Sequence, residues 1–174
     1  MPTSLLRHGL VSALLLGTLS GRAVMAEALN VPFDFSRKAI GIDVTVHGVP
    51  LYVLLDTGVD PSVISITRAE LLGLQVNRAA GGEASGYGDS KTARAFPATI
   101  DGLSIRGLSF PPIDALAADT TTISRNYRRD IDGVLGYSFL KDRIVLIDSG
   151  HGIERRYRSV RSSFRLADRQ CLNA

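Results

Sequence analysis

Residues 56–58, Asp-Thr-Gly, combine a carboxylate, a hydroxyl and a residue with no side chain, and they stand between two apolar runs. Before them comes Leu51-Tyr52-Val53-Leu54-Leu55. After them the chain passes through Val59-Asp60-Pro61-Ser62 and re-enters an apolar run at Val63-Ile64. A carboxylate delivered by a core strand is costly unless it is paired, hydrogen-bonded or used. Its use would be acid–base chemistry. Hydrolysis of a peptide bond needs a water activated on one side and a leaving amine protonated on the other. Two carboxylates held close together cannot both ionise, so they share one proton and act as base and acid together. Gly58 lets such a loop approach its partner without a side chain in the way.

The triplet alone is a weak signal, since average residue usage produces one by accident in roughly one chain in ten of this length. The chain carries a second, Asp148-Ser149-Gly150, with only 24 residues after it and no apolar-apolar-Gly segment among them. Asp148 is therefore read as the end of a strand and not as an intrachain partner of Asp56. Other chemistries lack their pattern. Residues 136–140 (GYSFL) miss the final glycine of a nucleophile elbow. Residues 86–92 (GYGDSKT) miss the glycine before the lysine of a phosphate loop. His8, His47 and His151 do not cluster, so no metal and no cofactor is expected. The single cysteine, Cys171, excludes a disulfide within the chain and leaves open an inert thiol or a link between two chains.

The elements that would position Asp56 are mostly strands. Residues 39–46 (AIGIDVTV) alternate as a half-buried strand does, and His47-Gly48 turns the chain into residues 51–55, a hairpin that feeds the loop. Thr67-Arg68-Ala69-Glu70 has the capping-box pattern of a short helix, and Gly73 stops it. Residues 79–90 (AAGGEASGYGDS) are too glycine-rich to pack and read as a hairpin tip. Residues 95–100 and 103–110 predict a hairpin across Asp101-Gly102, and polar residues 115–130 predict a surface loop. A short helix at 137–140 and a strand at 143–147 follow Ile131-Asp132-Gly133-Val134-Leu135-Gly136. The sum is an all-β single domain with one or two short helices.

Taken together, residues 39–148 resemble the retropepsin-like aspartic proteases, the single-lobe, retroviral type. The points of likeness are Asp56-Thr57-Gly58 after a strand, the glycine-rich tip, the apolar-apolar-Gly segment Val134-Leu135-Gly136, and the closing helix and strand. The resemblance implies a closed, barrel-like β lobe, like one lobe of pepsin. It also implies an aspartic endopeptidase acting on peptide or protein substrates. Asp56, Thr57 and Gly58 would be the catalytic loop, with the Thr57 hydroxyl bracing the pair. A lobe of this size carries one aspartate, so the implied active form is a homodimer with Asp56 from each protomer at the two-fold axis. Tyr87 and Gly88 would lie on the flap over an extended substrate that binds by adding a strand. The chain departs from the family at Val59, where Ala or Ser is usual, and Asp60 brings another carboxylate to the loop. A catalytically weak or inactive peptide-binding module of the same fold is the alternative. A third reading is an assembly part that uses its basic tail.

Length and composition fit one packed domain: 174 residues, 45% of them apolar. Residues 1–26 read as a signal peptide. Arg7 precedes the short apolar stretch 10–19, and small residues offer cleavage after Ala26 or Ala28. The apolar stretch is too short to span a membrane, so no stable membrane anchor is expected. The expected address is exported, periplasmic or secreted. Removing residues 1–26 takes away Arg7 and Arg22 and no acid, lowering the formal charge from +3 to +1, so no nucleic-acid partner is expected. The protease domain is expected over residues 29–150. Residues 151–174, with Arg155, Arg156, Arg158, Arg161, Arg165 and Arg169, are expected to be a solvated tail.

Overall fold

The computed structural model describes residues 29–84 and 93–148 and the strand Ser163–Asp168. In chain order the elements are β1 (Leu29–Pro32), β2 (Ile40–Val46), β3 (Val49–Leu55), β4 (Ser62–Ser65), α1 (Ile66–Leu71), β5 (Gln75–Val76), β6 (Gly82–Ala84) and β7 (Ala93–Ile100). They continue with β8 (Leu103–Ile105), β9 (Leu108–Ser109), β10 (Ile113–Ala118), α2 (Thr121–Tyr127), β11 (Gly133–Leu135), α3 (Tyr137–Leu140), β12 (Arg143–Asp148) and β13 (Ser163–Asp168). The fold is all-β, as the alternating runs predict, and the helices are short.

One 10-stranded sheet carries most of the chain, in the order β5-β7-β10-β4-β11-β3-β2-β8-β9 with β6 on β7. β11 lies at the centre of the sheet's mixed region. It runs parallel to β3, antiparallel to β4, and lies between them. The strands flanking it are covered on both faces. Leu51, Val53, Leu55, Ile64 and Leu135 belong to the main core, while Leu54, Val63 and Val134 belong to a second cluster on the other side. This two-sided burial explains why residues 51–55 and 133–135 read as continuous apolar runs and not as alternating ones. Gly133 is required by closeness: a Cβ there would sit 2.5 Å from the Val63 carbonyl oxygen.

Several sequence-based expectations change. The surface loop expected over residues 115–130 is largely structured: residues 115–118 are part of β10, with Ala115, Ala117 and Ala118 buried between β7 and β4, and residues 121–127 form α2. The small side chains of the alanines gave little hydrophobic signal. The predicted hairpin across Asp101-Gly102 does not form. β8 pairs with β2 and β9, and Gly102, at φ +65°, marks the corner where the chain leaves β7 and crosses to β2. The glycine-rich tip is narrower than predicted, because residues 78–80 form a 3₁₀ turn and β6 pairs with β7. The capping box is absent. Ser65 is the N-cap without a side-chain bond, and Glu70 pairs with Arg78. Gly73 does end the helix, at φ +68°.

The first and last described strands meet in a separate sheet ordered β1-β13-β12. Residues 163–168 were expected in the tail but form its central strand, with Leu166 buried in the main core. The arginines around Phe164 and Leu166 hid a period-two pattern of the ordinary kind.

Candidate active site

β3 ends at Leu55 and hands the chain directly to Asp56, which is solvent-exposed together with Thr57 and Gly58. The Asp56 N–H donates to the Leu135 carbonyl at 3.1 Å, continuing the β3–β11 pairing one residue past the strand. The Asp56 carboxylate, through Oδ1, accepts the Gly58 N–H at 2.8 Å, and this bond curls the loop back upon its own side chain. The Val59 N–H then reaches the Asp56 carbonyl at 3.4 Å.

The far leg of the loop is pinned as tightly. The Val59 carbonyl accepts the Tyr137 N–H at 2.7 Å. Gly136 lies so close that a Cβ there would stand 2.2 Å from the Val59 oxygen, so only glycine fits. Ser62, fully buried, adds a relay of polar bonds. Its Oγ accepts the Gly136 N–H at 2.9 Å, and its hydroxyl contacts the Ser138 Oγ at 2.8 Å. Ser138 Oγ in turn accepts the Ser62 N–H at 2.9 Å and donates to the Asp114 carbonyl at 2.8 Å. Every donor in that relay has an acceptor, the condition under which a buried polar group costs little. Val134-Leu135-Gly136 therefore passes beside the Asp56 loop, as the resemblance implied.

A second polar knot holds the strand feeding the loop. Asp132, 8% exposed, accepts the Tyr52 N–H at 2.9 Å and the Arg68 Nε–H at 2.7 Å. Its backbone is tied to Tyr52 and to Ser65, so one residue clamps β3 and β4 to the turn before β11. Sequence reasoning missed both partners. The signal available was an acid inside an apolar segment, at Ile131-Asp132-Gly133, since such an acid needs a bonding partner.

Beside the loop opens a groove of about 340 Å³, walled by Val59 and Val63, by Leu116 of β10 and by Ile123 of α2. Val59 is half-buried against the second cluster. β6 and β7 run antiparallel, Gly82 facing Ala95, and are the two arms of the predicted hairpin. Tyr87 and Gly88 fall between those strands in the sequence and lie outside the described residues. Cys171 and residues 1–26, the expected signal peptide, also lie outside them. Asp148, of the second triplet, is in β12 and hence in the terminal sheet, not in the sheet that carries Asp56. Among the described residues no group of His, Cys, Asp and Glu could hold a metal ion, and no helix is long and apolar enough to cross a membrane.

Comparison with known proteins gives a family match and a set of similar solved structures, among them two proteases. The family described as aspartyl protease matches residues 42–139, more than half of the chain. A retropepsin-like aspartic protease from Rickettsia conorii is similar at 17% identity and a TM-score of 0.47, over 80% of this chain and 89% of that one. EIAV protease, solved with an inhibitor, is similar at 25% identity and a TM-score of 0.36, over 59% of this chain and 85% of that one. No curated protein matches the sequence. The family match spans β2 to α3, the stretch that builds and braces the Asp56 loop. The chain therefore belongs to the aspartyl protease family, and its single β lobe is the architecture that the retropepsin-like resemblance implied.

Proposed function

We propose that the chain is an aspartic endopeptidase that works as a homodimer, with Asp56 of each protomer facing its counterpart across the two-fold axis. The observation that carries this reading is the exposed Asp56 on a glycine turn whose backbone is fastened on both legs, by Leu135 on one side and Tyr137 on the other. A fastened loop can hold a carboxylate in one geometry, and most of the rate gain in such chemistry comes from groups fixed before the reaction. One Asp56 carboxylate takes a proton from water as its oxygen bonds to the peptide carbon. The other, protonated, gives its proton to the amine as the C–N bond breaks. Thr57 braces the pair across the axis. Tyr87 and Gly88 close over the substrate from the tip between β6 and β7.

The exported, periplasmic or secreted address belongs to the same reading, with residues 1–26 removed. N-terminal sequencing of protein recovered outside the cytoplasm checks it. A start within the leader would refute cleavage.

The decisive test pairs molar mass with cleavage. Sedimentation of the mature protein across a concentration series should give a dimer. A peptide library should be cut by the wild type and left intact by Asp56→Asn, with fold and dimer retained. Cleavage that survives Asp56→Asn would overturn the assignment. A strict monomer that binds peptides and never cuts them would leave the peptide-binding module as the better description.

A further inference from the structure

The groove beside the Asp56 loop has an acidic rim on an apolar floor. Val63, Leu116 and Ile123 supply the floor. The rim is Asp60 of the loop, Glu83 of β6 and Asp119 at the end of β10, three carboxylates from three separate segments that the fold brings to one concavity. No Lys or Arg is among the described residues lining it. Two neighbouring cations stack on an aromatic ring, and a third, Arg125, acts on Asp119 without lining the groove. Arg94, opposite Glu83 across the β6–β7 pair, lies over the Phe96 ring at 5.5 Å, and Arg78 over the same ring at 5.2 Å. Asp119 holds its charge well: its Oδ1 accepts the Thr121 O–H at 2.5 Å and the Thr121 N–H at 2.8 Å. Those bonds, with Arg125 adding to them, hold its carboxyl below the ordinary carboxylate value.

An acidic surface alone would be a solvated face. Here the carboxylates rim a hollow of about 340 Å³ whose wall includes Gly58 and Val59 of the Asp56 loop itself. A hollow with an apolar floor and a few convergent polar groups is what a side-chain pocket requires. The chemistry that fits both parts is an aliphatic stem with a cationic tip, because long basic side chains bury their methylenes and keep the charge at the edge. We propose that this groove accepts a lysine or arginine side chain of the substrate, and that Asp60, Glu83 and Asp119 make the protein selective for a basic residue beside the bond that is cut. The inference rests on the peptidase reading for its cleavage arm and stands independently in its binding arm.

The test uses the full mature chain and a peptide series that differs at one flanking position at a time: Lys, Arg, norleucine or Glu. Norleucine keeps the lysine stem and removes the charge. Lys and Arg peptides should be cut with kcat/KM roughly 10-fold above norleucine, the scale of one or two partly exposed charge pairs, and Glu should be disfavoured. The Lys-to-norleucine ratio, taken within each protein, should fall toward one in Glu83→Gln/Asp119→Asn. In Glu83→Lys the order of Lys and Glu should reverse. Equal use of Lys and norleucine at every position, or a ratio untouched by these substitutions, would overturn the proposal. Binding of the same peptides to Asp56→Asn, followed by fluorescence polarisation, separates the two claims. Lys-selective binding without wild-type cleavage refutes the peptidase reading and keeps this one. Cleavage with no charge preference does the opposite, and neither binding nor cleavage refutes both.

Discussion

Gly136 is the position where a single methyl group should disable the site without touching a catalytic atom. A Cβ built there lies 2.2 Å from the Val59 carbonyl oxygen, short of the 3.0 Å that real Cβ atoms respect. Closing that gap takes a shift of about 0.8 Å in either β11 or the Asp56 loop. Neither can yield cheaply. The obstacle is backbone, and the same atoms carry the bonds from Tyr137 to Val59, at 2.7 Å, and from Gly136 to Ser62, at 2.9 Å. Overpacking of this kind costs about 1–3 kcal/mol, and each weakened buried bond adds about 1 kcal/mol. Gly136→Ala should therefore lose about 2–4 kcal/mol, a large share of a typical domain's stability. A displacement approaching 1 Å at a catalytic group costs up to about 100-fold in rate, so cleavage should fall by at least ten-fold even in molecules that remain folded. Urea unfolding gives the first number, and cleavage at a temperature where the variant is fully folded gives the second. Gly82→Ala is the matched control, because a Cβ there meets nothing within 4 Å and the backbone is not left-handed. It should stay within about 0.5 kcal/mol of wild type. If Gly136→Ala unfolded like the control and cut at the wild-type rate, the account of how β11 positions the loop would be refuted.

Two further outcomes follow from carboxylates that accept hydrogen bonds, the Asp132 clamp and the local bonds of Asp34 to Ser36 and of Asp119 to Thr121. Asp132→Ala should destabilise by about 2–4 kcal/mol, because it strands the part-buried Tyr52 N–H, a charge-assisted bond worth about 1.5–3 kcal/mol. Arg68, 40% exposed, adds no more than about 1 kcal/mol. Asp132→Asn keeps an acceptor and should cost clearly less, and equal urea midpoints for the two variants would contradict the clamp. Asp34 and Asp119 both have carboxyls held below the ordinary value of 3.8, chiefly by Ser36 N–H for the first and the Thr121 hydroxyl for the second. A depressed folded-state pKa contributes stability above the unfolded value, and that contribution is lost as the pH falls through the lower folded value. Melting temperature should therefore drop below about pH 4, and Asp34→Asn/Asp119→Asn should flatten that drop. Curves that stay parallel would exclude these two groups as its source.

Much of this arrangement was legible because the chemistry sits where patterns change. The strand into Asp56, the turn at Gly58, the return at Val63 and the passing segment at Gly136 are each a local feature with a physical reason. The family match falls on the same residues. What stayed hidden was set by distant partners. Ser62 and Ser138 look like any two serines until β4 and α3 bring their hydroxyls to 2.8 Å. The buried alanines of β10 have little hydrophobicity of their own and are buried by the strands on either side. The corner at Asp101-Gly102 has the composition of a hairpin turn, yet β8 finds its partner in β2, because Thr45 and Val46 are across from Ser104 and Leu103. Local turn chemistry selects a bend and leaves open what the outgoing strand will meet.

The terminal sheet sets the order in which the molecule can be completed. Leu29 faces Leu166 in the β1–β13 register, so the first described strand must wait for a partner 137 residues further along. Bringing such ends together costs about 4 kcal/mol of loop entropy before any contact repays it. A chain that emerges amino end first can fold its large sheet, from β2 to β11, while β1 is still single. The lobe that holds Asp56 and the seam between β1 and β13 are thus separable events, the first early and the second last. Opening should run in reverse, with amide exchange fastest along β1 and β13 and slowest in β3 and β11.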